Sequence, residues 1–136
     1  MLKRVSQKVL FLLLLLPLAA SAVGLGQFEV RSALGQPLDA TIGLIGVSAD
    51  EAALMSVGVA SVAQHEKLGV ERPYWVALFK FSIEISDGGK PYIKVTSKDP
   101  VREPYLNFLL EATSSTARLV KEVTAFIDPP TSAVRS

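Results

Sequence analysis

The fold is decided by residues 74–97, YWVALFKFSIEISDGGKPYIKVTS. Over residues 74–85 every second residue is apolar, and from residue 79 onward the residues between them are polar. The apolar set is Trp75, Ala77, Phe79, Phe81, Ile83 and Ile85. An alternation of this length predicts a strand with one buried face. Residues 86–90, SDGGK, predict a tight turn in which Asp-Gly supplies positive φ angles. The chain then returns with Ile93 and Val95 inward, so we expect a central antiparallel hairpin.

Four further segments alternate in the same way and predict strands on either side of this hairpin. They are residues 27–33, 38–44, 106–112 and 119–127. The last ends at residues 128–130, DPP, because proline cannot donate to a strand ladder. The sequence therefore predicts a mainly β protein.

One stretch, around residues 48–68, departs from the strand pattern. Residues 48–51, SADE, have the spacing of a capping box and predict a short helix. Ser61 and Gly69 bound a second helical turn, with a short strand at 55–59 between the two. We expect an antiparallel β-sandwich (Ig-like) with this short helical excursion, and a partly closed barrel is the alternative. A parallel α/β fold is excluded because no helix of the required length separates the strands.

The N-terminal residues 1–22 have the parts of a secretory signal in order. Three basic residues precede the apolar run 9–18, and Ala20 and Ala22 supply the small side chains that signal peptidase requires. The run is shorter than the roughly 20 residues that span a bilayer. We expect cleavage after Ala22, a periplasmic domain at residues 23–130 without a stable membrane anchor, and a disordered tail at 131–136.

Composition excludes several kinds of chemistry. The chain has one His and no Cys, which rules out Cys-based zinc sites, thiolate nucleophiles and disulfides. The formal net charge of +1 becomes −2 without the three basic residues of the leader, so nucleic acid is not an expected partner. We predict no catalytic, cofactor-binding or metal-binding residues, no cofactor, and an exposed position for His65.

Two proline-flanked connectors carry the candidate contact residues. Residues 100–105, PVREPY, contain Arg102 and Tyr105, and a similar connector contains Arg72 and Tyr74. Proline also restricts the residue before it, so such a connector loses little entropy on binding, and Arg and Tyr are favoured at protein interfaces. The alternative is that the charged side chains pair with neighbours and only fix the loop.

Several phrases of the sequence resemble the N-terminal periplasmic domain of the FimV/HubP family of bacterial polar hub proteins. They are GLG at 24–26, SALGQPLDA at 32–40, GVERPY at 69–74, PYIKVTS at 91–97, PVREPYLNF at 100–108 and DPP at 128–130. The resemblance implies a role connected with type IV pilus assembly, twitching motility and organisation of the cell pole. Members of the family continue into a LysM module, a transmembrane helix and a cytoplasmic region, and we expect this chain to lack those parts.

Residues and resemblance together predict a non-enzymatic periplasmic domain that binds envelope proteins and is accessory to type IV pilus assembly or cell-pole organisation. The alternative is a small exported hydrolase or ligand-binding carrier. A deep pocket lined by convergent polar groups would favour the alternative. A filled core with an exposed aromatic patch would favour the binding domain.

Overall fold

The structure is a computed structural model that describes residues 24–130. The expected leader and tail, residues 1–22 and 131–136, lie outside the described residues. The strands are β1 (Gly24–Val30), β2 (Pro37–Ile45), β3 (Ser56–Val59), β4 (Phe79–Ile85), β5 (Pro91–Pro100), β6 (Tyr105–Thr113) and β7 (Arg118–Phe126). The helices are α1 (Ala49–Ala52), α2 (Val62–Leu68) and a 3₁₀ helix (Tyr74–Leu78). None of the helices described is long and apolar enough to cross a membrane.

The strands form two antiparallel sheets. The first sheet has the order β1-β2-β5-β4, and the second has the order β3-β6-β7. Apolar side chains from the inner faces of both sheets make one buried cluster between them. The predicted mainly β, Ig-like sandwich is confirmed.

Phe108 of β6 lies at the centre of this core and is fully buried. Its ring forms T-shaped contacts with Phe28, Phe79 and Phe81 of the opposite sheet, at centroid distances of 6.1, 6.1 and 6.3 Å. Such edge-to-face contacts add to the burial of apolar area. The core is therefore filled by rings from both sheets.

The central hairpin pairs β4 with β5 in an unbroken register from Phe79↔Ser97 to Ile85↔Pro91. Its turn differs from the expectation, because only Gly89 has a positive φ, of 78°. The Gly89 N–H donates to the Ser86 carbonyl at 2.8 Å. This is a type I turn followed by one left-handed residue, the usual solution for a three-residue hairpin loop.

The predicted strand over residues 74–85 is wrong in its first part. Residues 74–78 form the 3₁₀ helix, in which the Val76 N–H donates to the Pro73 carbonyl at 3.3 Å. Val76 is buried, whereas Ala77, on the parity expected to be inward, is exposed. The reason is visible in the sequence, since residues 74–79 are all apolar and polar residues begin to alternate only at Lys80.

Two smaller corrections concern strand limits and burial. The first strand begins at Gly24 rather than at residue 27, with an irregularity between Leu25 and Phe28. Phe81 and Ile83 are only half-buried. They are open on one side because β4 is the last strand of its sheet.

The helical excursion follows the predicted capping chemistry. The Ser48 side chain accepts from the Glu51 N–H, and the Glu51 side chain accepts from the Ser48 N–H, which completes the capping box of α1. Ser61 caps α2, which ends at Gly69 with a φ of 71°. The short strand β3 lies between the two helices, as expected.

Candidate functional site

The structure brings two of the four predicted contact residues into one groove. Tyr74 and Arg102 both line a groove of about 240 Å³ between the 3₁₀ helix and the connector that joins β5 to β6. The groove is lined by Tyr74, Trp75, Leu78, Phe79, Ser97, Asp99, Pro100, Val101, Arg102 and Glu103. We call it the connector groove.

The 3₁₀ helix supplies the apolar wall of the connector groove. Val76 anchors this helix in the core, and the Trp75 ring packs on Phe79 at a centroid distance of 5.6 Å. Because the helix turns every three residues, this anchoring leaves other side chains at the surface. Tyr74 is 84% exposed and Leu78 is 60% exposed.

Backbone hydrogen bonds hold the second wall in place. The Val101 N–H donates to the Gln36 carbonyl at 2.9 Å, and the Val101 carbonyl accepts from the Gly35 N–H at 2.8 Å. The Ser97 hydroxyl accepts from the Leu38 N–H and donates to the Asp99 carbonyl, each at 2.7 Å. The connector is thus fixed to the turn before β2 without using its charged side chains.

Arg102 and Glu103 remain exposed at the rim of the groove. Neither forms an ion pair with another residue in the described range 24–130, where the pair found joins Arg118 and Glu111. The alternative, in which these two charges pair with neighbours and fix the loop, is therefore not supported by an ion pair in the described residues. Together with Asp99 they give an apolar groove a charged rim, an arrangement typical of protein-binding surfaces.

The other two predicted contact residues lie outside the connector groove. The Arg72 Nε donates to the Ala60 carbonyl at 3.2 Å, which ties the connector before the 3₁₀ helix to the loop before α2. Tyr105 lies on the outer face of the second sheet, where its ring packs on the 72% exposed Phe126 at a centroid distance of 5.1 Å. Arg72 thus has a structural partner, and Tyr105 belongs to a separate exposed pair.

Leu78 is the groove residue that the sequence pattern missed. A strand over residues 74–85 would have placed it on the outward face of the sheet, on the same parity as Tyr74 and Val76. The continuous apolar run of residues 74–79 after Pro73 was the signal, because an alternating strand would carry polar residues at 76 and 78.

The expectation for His65 is wrong, because its side chain is 1% exposed. Its Nε2 accepts from the Leu109 N–H at 2.9 Å, and its Nδ1 lies 2.9 Å from the Ser61 carbonyl, to which it donates in that tautomer. Both ring nitrogens are therefore occupied by backbone groups. The imidazole fastens α2 to the backbone of β6 beside the end of β3, and both of its nitrogens are engaged.

Two further observations bear on the hydrolase or carrier alternative. In the residues described, no group of three or more His, Asp or Glu side chains is placed to hold a metal ion. A wider depression, of about 610 Å³, lies along the outer side of the first sheet, and Gly26, Gly43 and Tyr92 are among its lining residues. It is an open trough on a sheet face and not a deep pocket.

Comparison with known proteins gives a consistent result. The family model of the FimV N-terminal domain, an Ig-like domain, matches residues 23–130. The chain is similar to "Motility hub protein FimV" of two strains of Pseudomonas aeruginosa, with 41% identity over 111 residues in each case. These matches cover 82% of the chain and 12% of each relative. No solved structure matches the chain significantly.

Proposed function

Because the chain belongs to the family of the FimV N-terminal domain, we propose that it is a non-enzymatic, protein-binding domain of the periplasm that serves type IV pilus assembly or cell-pole organisation. The motility context comes from relatives that are named motility hub proteins. The chain spans about 12% of their length, so the proposal concerns what this one domain contributes. The proposal also includes a cleaved secretory signal at residues 1–22, which directs export, and a periplasmic domain at residues 23–130.

The connector groove is the observation that carries the protein-binding role. Its volume of about 240 Å³ is below the roughly 300–1,000 Å³ of typical small-molecule pockets, and it suits one or two apolar side chains of a protein segment. Tyr74 and Leu78 present apolar surface beside it, and the rigid connector needs no reordering on binding. We propose that an envelope protein inserts an apolar anchor here, with Arg102 and Glu103 orienting it by charge.

The test replaces the apolar wall without touching the core. Tyr74→Ser combined with Leu78→Ser removes exposed apolar groups only, so the melting temperature should stay within a few degrees of the wild type. Leu68→Ser is the matched control, since Leu68 is 53% exposed on α2 and does not line the groove.

The readouts are surface motility of cells that carry each variant in place of the wild type, and recovery of periplasmic partners after cross-linking. We expect the double variant to lose both and the Leu68→Ser control to keep both. If the double variant is folded and shows normal motility and unchanged recovery of partners, the connector groove is not the binding site.

A further inference from the structure

The four edge strands of the two sheets differ in how well they are protected against pairing with another chain. The end strands are β1 and β4 in the first sheet, and β3 and β7 in the second. An end strand presents unpaired N–H and C=O groups, and soluble proteins usually blunt such edges with bulges, very short strands or inward-pointing charges.

Three of these edges carry such a feature. β1 has a register irregularity between Leu25 and Phe28, and β3 is only four residues long. On β7, Lys121 has the same parity as the buried Val123, and its Nζ donates to the Leu25 carbonyl at 2.8 Å. A charge at that position opposes the addition of a further strand.

β4 has no bulge, is not short and has no inward-pointing charge; its charged residues, Lys80 and Glu84, lie on the outer face. It is seven residues long, FKFSIEI, without proline or glycine, and its register with β5 is unbroken. In the described range, its other edge forms no strand pairing. Its inward side chains Phe81 and Ile83 are half-buried and line the seam toward β3, together with Met55 and Val57. β4 is thus a regular, unpaired strand with incompletely covered apolar groups.

The sequence of β4 is complementary to itself when it is read in the opposite direction. An antiparallel pair centred on Ser82 puts Ser82 opposite Ser82 and Lys80 opposite Glu84, twice because of the two-fold axis. On the inner face the same register puts Phe81 opposite Ile83 and Phe79 opposite Ile85. Opposite charges and aromatic–β-branched pairs are the favourable cross-strand combinations.

We propose that two copies of this chain associate through β4, which would join their first sheets into one continuous eight-stranded sheet. The strand that pairs with this edge is β4 of a second copy. In one register all seven residues of β4 are aligned, and both the charged and the apolar side chains then face complementary partners. A symmetric pair of this kind closes on itself and leaves the β4 edge covered in both copies. The proposal does not rest on what binds the connector groove, although Phe79 belongs to both the groove lining and β4.

The decisive experiment reverses the two charges separately and together. Lys80→Glu places carboxylates opposite each other at both symmetric positions, and Glu84→Lys does the same with ammonium groups. Sedimentation of the purified protein over a range of concentrations should show about tenfold or more weaker self-association for each single variant. The double variant Lys80→Glu with Glu84→Lys should restore it, and an equimolar mixture of the two single variants should form the heterodimer.

Lys94→Glu is the matched control, because Lys94 lies on the same outer face but on β5, one strand inward from the edge. It should leave self-association unchanged. All variants change exposed side chains, so thermal melting should show that each one is folded. A wild type that stays monomeric at every concentration, or single variants that associate like the wild type, would overturn the proposal.

A second measurement does not depend on the charge variants. The chain has no Cys, so Ser82→Cys introduces one thiol at the proposed two-fold axis. A short bifunctional maleimide should join two copies through this thiol, and Thr96→Cys on β5 should give little dimer. Equal cross-linking of both variants, or none at Ser82→Cys, would contradict the register.

Discussion

Replacing His65 by alanine tests whether a buried imidazole fastens α2 to the second sheet. The substitution removes the acceptor of the Leu109 N–H, a buried donor, and it removes the contact with the Ser61 carbonyl. An unpaired buried N–H costs about 1–3 kcal/mol, and the void left by the ring adds to this. We expect the free energy of unfolding to fall by about 3 kcal/mol.

The assay is thermal and urea unfolding of the purified protein. For a domain of this size, a loss of about 3 kcal/mol lowers the melting temperature by about 10–20 °C. His65→Gln offers a carbonyl oxygen at a similar reach and should recover part of the loss. Glu66→Ala, at an exposed position of the same helix, is the control and should change stability by about 0.5 kcal/mol or less. If His65→Ala cost no more than Glu66→Ala, the fastening role would be refuted.

Three further outcomes are expected. N-terminal sequencing of periplasmic protein should begin at Val23, and a membrane-retained species that starts at residue 1 would contradict cleavage. Phe108→Ala should destabilise by about 3–5 kcal/mol, and Phe81→Ala should destabilise by clearly less because Phe81 is half-buried; equal losses in urea unfolding would contradict the described core. Gly89→Ala should cost about 1–2 kcal/mol because of its positive φ, while Gly88→Ala should be nearly neutral in the same assay, and the reverse order would contradict the turn.

The strands were predictable because burial of one sheet face imposes a period of two on the sequence. Leu38, Ala40 and Ile42 of β2 alternate with solvent-facing residues, and the structure buries all three. The capping box at Ser48 was predictable for a similar reason, since its hydrogen bonds join residues only three positions apart. Local chemistry of this kind is complete within a short stretch of sequence.

The position of His65 was not predictable in that way. Its decisive partner is Leu109, 44 residues further along the chain, and only the packing of α2 on β6 brings the two together. A polar helical turn that contains Gln64 and Glu66 indicates exposure, and tertiary contact overrides that indication. The connector groove was predictable only in part, for the same reason. The sequence indicated Tyr74 and Arg102 as separate candidates, but only the fold brings them into one groove.

Site-specific photo-cross-linking at the connector groove tests the central claim most directly. A photoreactive phenylalanine analogue at position 74 replaces a tyrosine that is 84% exposed, and the same analogue at Leu68 serves as the control on α2. In living cells the probe at Tyr74 should form a discrete protein adduct that disappears when Leu78→Ser is added. Absence of an adduct at Tyr74, or the same adduct from Leu68, would contradict a protein partner in this groove.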